Sequence, residues 1–136
     1  MQAKKRLAWL ALPLMALVIA SLACGTGFST SSTIYGNSGK VQAKLKEGDG
    51  VNNNSLEINE DWSYVQFSAT INLSVSAGSC RATLSGGENT SIVLEASAGS
   101  PAETYGTLVT DGFGEIDLET DCQNAEEMLL VVDFTK

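Results

Sequence analysis

The sequence predicts an all-β fold, and three observations lead to this prediction. Apolar and polar residues alternate with a period of two over most of the chain after residue 39, as in strands with one buried face. Gly, Asn, Asp and Pro separate these segments at regular intervals. Two cysteines, Cys80 and Cys122, lie far apart in the same region. Seven or eight short strands in about 100 residues indicate an antiparallel, immunoglobulin-like β-sandwich with one disulfide.

The first strands of the predicted sandwich are amphipathic. Val41, Ala43 and Leu45 alternate with polar and basic residues, and the pattern resumes after a turn region at 48–54. The longest alternation places seven apolar residues on one side, namely Val65, Phe67, Ala69, Ile71, Leu73, Val75 and Ala77. At about 3.3 Å per residue this segment is long for one strand, so we expect it to bend, to cross between sheets or to carry a bulge.

The second half of the chain continues the strand pattern. Two segments around residues 80–84 and 92–96 precede a pair of strands that flank Asp111-Gly112, a dipeptide suited to a type I′ hairpin. Residues 124–127 indicate a helical turn. The run at 128–134 is almost continuously apolar, which is typical of a central strand.

The two distant cysteines are expected to link strands of facing sheets. Closing a loop of this length stabilises a fold by about 4 kcal/mol in the chain-entropy model. An immunoglobulin domain has a Trp between its two cysteines, whereas Trp62 precedes both here. The term immunoglobulin-like therefore describes the architecture alone.

The first 23 residues have the composition of a secretory signal peptide. Three basic residues at 4–6 precede an uncharged, apolar stretch at 7–23. An uncleaved membrane anchor is the alternative, but this stretch would span only about 25 Å as a helix, less than the roughly 30 Å of a bilayer core. Pro13 would also interrupt such a helix.

The boundary of this segment reads Ser21-Leu22-Ala23-Cys24-Gly25. It resembles the lipobox of bacterial lipoproteins, with Ser21 where that class usually has Leu. The resemblance implies that Cys24 becomes the N-terminus and carries diacylglycerol, whose two acyl chains anchor a protein stably. Ordinary signal-peptidase cleavage after Ala23 is the alternative. The count of three cysteines favours lipidation, because Cys80 and Cys122 can then pair with none left over.

These interpretations divide the chain into three parts. Residues 1–23 are a signal peptide, 24–38 a lipidated Cys with a Gly/Ser/Thr-rich flexible tether, and 39–136 the β-sandwich domain. The lipobox resemblance implies an exported lipoprotein anchored in the membrane at the outer face of the cell envelope.

Charge and composition restrict the function. After residue 23 the chain has five Lys and Arg against 16 Asp and Glu, a net charge of −11, which disfavours nucleic-acid binding. The sequence contains no His, which removes the commonest general base and imidazole–zinc sites. No P-loop or dinucleotide-binding motif is present. We therefore expect a non-enzymatic protein without a cofactor.

Two groups of residues are candidate binding sites for a cation. Glu115, Asp117, Glu119 and Asp121 alternate with apolar residues, so all four carboxylates project from one face of one strand. They are candidate calcium ligands, although a charged edge strand that resists edge-to-edge pairing would have the same pattern. The oxygen-rich segment 47–54 is either a plain loop or a second metal site.

Trp62, Tyr64 and Tyr105 are candidates for a carbohydrate-stacking platform, or else packing residues of the core. The function expected from the sequence is a lipid-anchored interaction or structural module with an unknown envelope protein or glycan partner. A ligand-binding lipoprotein, for calcium or a glycan, is the alternative.

Overall fold

Seven β-strands make up most of residues 27–136, the part of the chain that the computed structural model describes. They are β1 (Phe28–Tyr35), β2 (Ser38–Glu57), β3 (Gln66–Ser74), β4 (Ala77–Ser85), β5 (Ser91–Ser97), β6 (Ala102–Val109) and β7 (Glu115–Thr135). Every pairing between them is antiparallel. The predicted all-β antiparallel sandwich with one disulfide is confirmed. The predicted signal peptide and the predicted lipidation site Cys24 lie outside the described residues.

Two long strands belong to both layers of the sandwich. β2 has 20 residues and β7 has 21, and they pair with each other along almost their whole length. The first half of β2 and the second half of β7 form a five-stranded layer in the order β1-β2-β7-β3-β6. Their other halves form a four-stranded layer in the order β2-β7-β4-β5.

The long strands fold over at one end of the molecule, which we call the bend end. The β2–β7 register shifts between Gly48 and Gly50, and Asn124 and Glu127 of β7 both have φ of +48°. Gly78 has φ of +69°, and a Cβ there would lie 2.2 Å from the carbonyl oxygen of Asn124. The helical turn predicted at 124–127 is therefore wrong, because these residues are bulges that bend a continuous strand.

Alternate residues of six strands meet in one core between the layers. The inward residues of β3 are Phe67, Ala69, Ile71 and Leu73, all buried. Beyond Ser74 the chain passes into the other layer, where β4 begins at Ala77. Of the three outcomes expected for the long 65–77 alternation (a bend, a crossing between sheets or a bulge), the structure shows the crossing.

Cys80 and Cys122 form the disulfide between neighbouring strands of one layer. They are direct partners in the β4–β7 register, with 4.1 Å between their Cα atoms. The expectation that they join facing sheets is wrong, because the bend in β7 places its first half beside β4. The sequence separation of 42 corresponds to a stabilisation of about 4 kcal/mol in the chain-entropy model.

Residues 28–38, predicted as part of a flexible tether, instead form β1 and the turn into β2. β1 pairs with β2 in register from Phe28 opposite Leu45 to Tyr35 opposite Ser38. Its Ser and Thr side chains are exposed, so backbone hydrogen bonds rather than burial hold it in place. A strand made mostly of exposed Ser and Thr has the composition of a flexible linker, which is why the sequence predicts a tether where the structure has a strand.

Four of the six connections between strands, at 36–37, 58–65, 86–90 and 110–114, gather opposite the bend end, at what we call the loop end, whereas 75–76 and 98–101 lie at the bend end itself. The N–H of Lys136 donates to Asn37 O at 2.8 Å, and the N–H of Gly87 donates to Val109 O at 2.7 Å. Residues 110–114 are not the tip of a hairpin, because β6 pairs with β3 and not with β7. Instead, Asp111 Oδ1 accepts the N–H of Phe113 and of Glu115, closing a side-chain-capped turn.

Candidate functional site

The acidic residues singled out in the sequence lie on the outer face of the four-stranded layer. Glu115, Asp117, Glu119 and Asp121 alternate with the buried Ile116 and Leu118 along β7. β7 is central in this layer, between β2 and β4, so protection of an exposed edge does not account for the row. The expectation of an edge strand is wrong because the order of strands in a sheet does not follow the order in the chain.

The surroundings of the acidic row are polar and open. Asp121 lies opposite Arg81, whose Nε is 3.0 Å from Glu95 Oε1. Asp117 and Glu119 border a shallow depression of about 650 Å³ whose other lining residues are Asn53, Asn54, Ser55 and Ser85. No group of three or more His, Cys, Asp or Glu in residues 27–136 is placed to hold a metal ion. We therefore assign no calcium site to this row.

The oxygen-rich segment 47–54 is part of β2 rather than a loop. It pairs with β7 across the register shift at the bend end. Asp49 Oδ1 accepts the backbone N–H of Asn124 at 3.3 Å. This carboxylate therefore caps the bulge of the neighbouring strand.

The three aromatic residues proposed from the sequence do not form one platform. Trp62 is buried, with its ring centroid 5.7 Å from that of Phe134 and 6.3 Å from that of Phe67. Tyr64 lies on the 58–65 loop at the loop end. Tyr105 lies on β6, on the outer face of the five-stranded layer, opposite Thr70. Trp62 is thus a packing residue, and the two tyrosines occupy separate surfaces.

The outer face of the five-stranded layer carries two exposed tyrosines, one on each edge strand. Tyr35 on β1 and Tyr105 on β6 are each 69% exposed. Three strands separate β1 from β6, so the two rings are about 20 Å apart at the usual strand spacing. We call this surface the tyrosine face. Sequence pattern alone does not single out Tyr35, because its neighbours have the composition of a linker.

Short polar side chains cover the tyrosine face between the two rings. Lys40 and Asp133 are direct cross-strand partners, with 3.7 Å between Nζ and Oδ1. Most of the other outward residues carry hydroxyl or amide groups: Thr33, Ser38, Gln42, Ser68, Thr70, Asn72, Thr107 and Thr135. The same face also includes the half-buried Leu129 and Val131 of β7 and the charged Lys44 and Glu103. A depression of about 470 Å³ lies beside Tyr35 and is bordered by Lys40, Thr70 and Asp133.

Comparisons with known proteins give distant structural similarity only. No protein-family model matches the sequence, and no curated protein matches it significantly. The fold is similar to a carbohydrate-binding module of Cellvibrio mixtus lichenase 5A solved with cellotriose (14% identity, 82% of this chain, 88% of that chain, TM-score 0.37). It is also similar to a xylan-binding domain of Paenibacillus barcinonensis Xyn10C (13% identity, 80% of each chain, TM-score 0.41).

A third similar structure belongs to an enzyme. It is Bacillus subtilis oxalate decarboxylase, with 18% identity and a TM-score of 0.37 over 82% of this chain but only 26% of that one. TM-scores this low indicate a loose likeness of shape. They carry no argument about the ligand of this chain.

Proposed function

We propose that this chain is an exported, lipid-anchored domain that binds carbohydrate on the tyrosine face. The observation that carries the ligand class is the pair of exposed tyrosines, Tyr35 and Tyr105, at the two edges of one largely polar sheet face.

The chemistry of the tyrosine face suits a neutral sugar chain. A tyrosine ring offers an apolar face to the C–H groups of a sugar, and its hydroxyl remains available for hydrogen bonds. Hydroxyl and amide side chains both donate and accept hydrogen bonds, as sugar hydroxyls do. Lys40 and Asp133 add one charged donor and one charged acceptor beside the depression at Tyr35. A span of about 20 Å between the rings would accommodate a short oligosaccharide lying across the strands.

The lipobox resemblance and the cysteine count support the proposed location at the membrane. The disulfide uses Cys80 and Cys122, which leaves the thiol of Cys24 as the third one in the sequence. This pairing supports the use of Cys24 for diacylglycerol, because a free exposed thiol is otherwise unusual in an exported protein. The mass of the N-terminal peptide after export tests the anchor. An unmodified N-terminus at any other residue would contradict it.

Carbohydrate binding is tested with the purified chain on a panel of soluble bacterial and plant polysaccharides by affinity electrophoresis. We expect at least one polysaccharide to retard the chain. Tyr35→Ala and Tyr105→Ala should each weaken the binding about tenfold, since loss of one ring contact costs about 1.4 kcal/mol.

A matched control variant is Tyr64→Ala, which removes an equally exposed tyrosine on a different surface. It should leave the retardation unchanged. Binding that survives both Tyr35→Ala and Tyr105→Ala, or that is lost with Tyr64→Ala, would show that the tyrosine face is not the site.

A further inference from the structure

Two exposed aromatic residues lie on neighbouring loops at the loop end, away from the tyrosine face. Tyr64 is 67% exposed and Phe113 is 79% exposed, the highest value among the large hydrophobic residues of the described chain. Asp111 joins them, since its carbonyl accepts the N–H of Tyr64 at 3.0 Å and its Oδ1 accepts the N–H of Phe113 at 2.8 Å. We call Tyr64 and Phe113 the aromatic tip.

The backbone under the aromatic tip is firmly held. The N–H groups of Ile58 and Asn59 both donate to Gly114 O, at 3.0 and 3.1 Å. The hydroxyl of buried Thr110 accepts the N–H of Val65 at 2.9 Å and donates to the carbonyl of Trp62. These hydrogen bonds hold the backbone that carries the two exposed rings. The loops therefore lose little conformational entropy when a partner binds.

Fold stability does not explain why position 64 is a tyrosine. Its φ of +54° lies in the left-handed region, which disfavours L residues with a Cβ and favours Gly or Asn. The exposed ring recovers little of this cost through burial. A residue that is conformationally costly and exposed points to a role in binding.

The charges around the aromatic tip are mainly negative. Glu60 and Asp61 are exposed on the same loop as Tyr64, and the Cα of Glu60 lies 3.1 Å from where a Cβ on Gly114 would be. Glu88 is exposed on the adjacent 86–90 loop. The basic group at this end is Lys136, whose Nζ lies 5.8 Å from the ring centroid of Trp62.

From this arrangement we infer that the aromatic tip docks a Lys- or Arg-rich segment of a partner protein. Ammonium and guanidinium groups bind over the faces of exposed aromatic rings, and the carboxylates at the rim pair with further basic side chains. Exposed aromatics on a preorganised backbone are typical anchors of protein interfaces. This inference is independent of the glycan proposal and of the lipid anchor, since neither uses residues of the tip.

The test is an NMR titration of the full chain, purified in detergent, with three peptides of equal length: alternating Gly-Arg, Gly-Ser and Gly-Glu. We expect the Gly-Arg peptide to shift the amide signals of residues 60–64 and 111–114. Tyr64→Gly and Phe113→Ser should each weaken this binding at least fivefold. Tyr64→Gly should also keep or raise the thermal midpoint, because Gly tolerates positive φ, so lost binding would not reflect unfolding.

A net charge of −11 attracts any basic peptide, so the control removes charge elsewhere. The double variant Asp117→Asn, Glu119→Gln neutralises two carboxylates on the outer face of the four-stranded layer and should leave the tip signals and the affinity within about twofold. Glu60→Gln, Asp61→Asn neutralises two at the tip and should weaken binding. Equal losses from both pairs, unchanged binding in Phe113→Ser, or tip signals that move with oligosaccharides instead would overturn the inference.

Discussion

Thr110 holds two loops together through a hydroxyl with no exposed surface. It lies between β6 and the 111–114 turn, and its Oγ1 bonds both the N–H of Val65 and the carbonyl of Trp62. Its backbone N–H also donates to Val65 O at 2.9 Å. One side chain thus satisfies two buried backbone groups of the 58–65 loop, which has no strand partner of its own.

Replacing Thr110 with the isosteric Val is expected to destabilise the protein by about 1–3 kcal/mol, because two buried backbone groups lose their partner while the shape is kept. Urea denaturation measures the change. Thr107→Val is the matched control, since Thr107 is exposed on the tyrosine face and should shift stability by less than about 0.5 kcal/mol. Equal effects of the two variants would show that the hydrogen bonds of Thr110 contribute little.

At the scale of single residues, the sequence predicts which side chains are buried far better than it predicts the roles of the exposed ones. The period-two alternation correctly assigned the inward groups of β3, because burial of one sheet face requires it. The same rule says nothing about Tyr35 and Tyr105, which share one face only because β1 and β6 belong to the same layer. Trp62, a candidate for carbohydrate stacking from the sequence, instead packs against the rings of Phe67 and Phe134.

The bend end depends on a close approach between two elements. At Gly78, the second residue of β4, an added Cβ would lie only 2.2 and 2.3 Å from the carbonyl oxygens of Asn124 and Gln123 in β7. Gly99, between β5 and β6, has a similar φ of +77° but no atom within 4 Å of its hypothetical Cβ. Replacing each of these two glycines with Ala therefore distinguishes the energetic cost of the left-handed backbone, present at both positions, from the cost of steric contact, present only at Gly78.

Gly99→Ala should cost about 1–2 kcal/mol, the penalty of a left-handed L residue alone. Gly78→Ala should cost at least twice as much, because the backbone carbonyls at 2.2–2.5 Å cannot move without displacing the bulge in β7. Thermal unfolding of both variants under identical conditions measures the difference. Similar midpoints would mean that β4 and β7 separate at the bend more easily than their geometry indicates.

The elements most poorly predicted were those that depend on partners distant in the chain. The sequence divides β7 into two strands and a helical turn, since its bulge at 124–127 interrupts the alternation, and the structure has one strand of 21 residues. A turn dipeptide at Asp111-Gly112 indicated a hairpin, yet β3 lies between β6 and β7. Local pattern determines that a segment is a strand, whereas its neighbours are chosen by tertiary packing.

At the scale of the whole molecule, the two outer faces differ in charge. The four-stranded layer presents Arg81 against six outward carboxylates: Glu57, Glu95, Glu115, Asp117, Glu119 and Asp121. The five-stranded layer holds three of the five basic residues of the described chain, all on β2: Lys40, Lys44 and Lys46. An anionic polymer or lipid surface would be repelled more strongly by the first face than by the second.

The proposed lipid anchor would determine how the domain is oriented relative to the membrane. The carbonyl of Gly27 accepts the N–H of Lys46 at 3.2 Å, so the described chain starts at the bend end. Cys24 precedes Gly27 by three residues, a reach of at most about 10 Å. The eight residues of β1 then extend about 26 Å towards the loop end. A lipid on Cys24 would therefore hold the bend end at the headgroups and present the aromatic tip outward.

In nanodiscs containing nitroxide-labelled headgroups, the lipidated chain should show broadened amide signals at Lys46, Ser76 and Glu127, and sharp ones at Tyr64 and Phe113. Twelve Gly and Ser residues inserted before Gly27 should abolish this contrast, because a flexible linker of that length reaches roughly 20 Å and frees the domain to turn. Equal broadening at both ends in the chain without the insertion, with acylation of Cys24 verified by mass, would contradict the orientation while leaving the anchor intact. The short connection between Cys24 and Gly27 would then fail to restrict the domain. The outer face of the four-stranded layer, which carries the acidic row, would be as free to approach the membrane as the bend end.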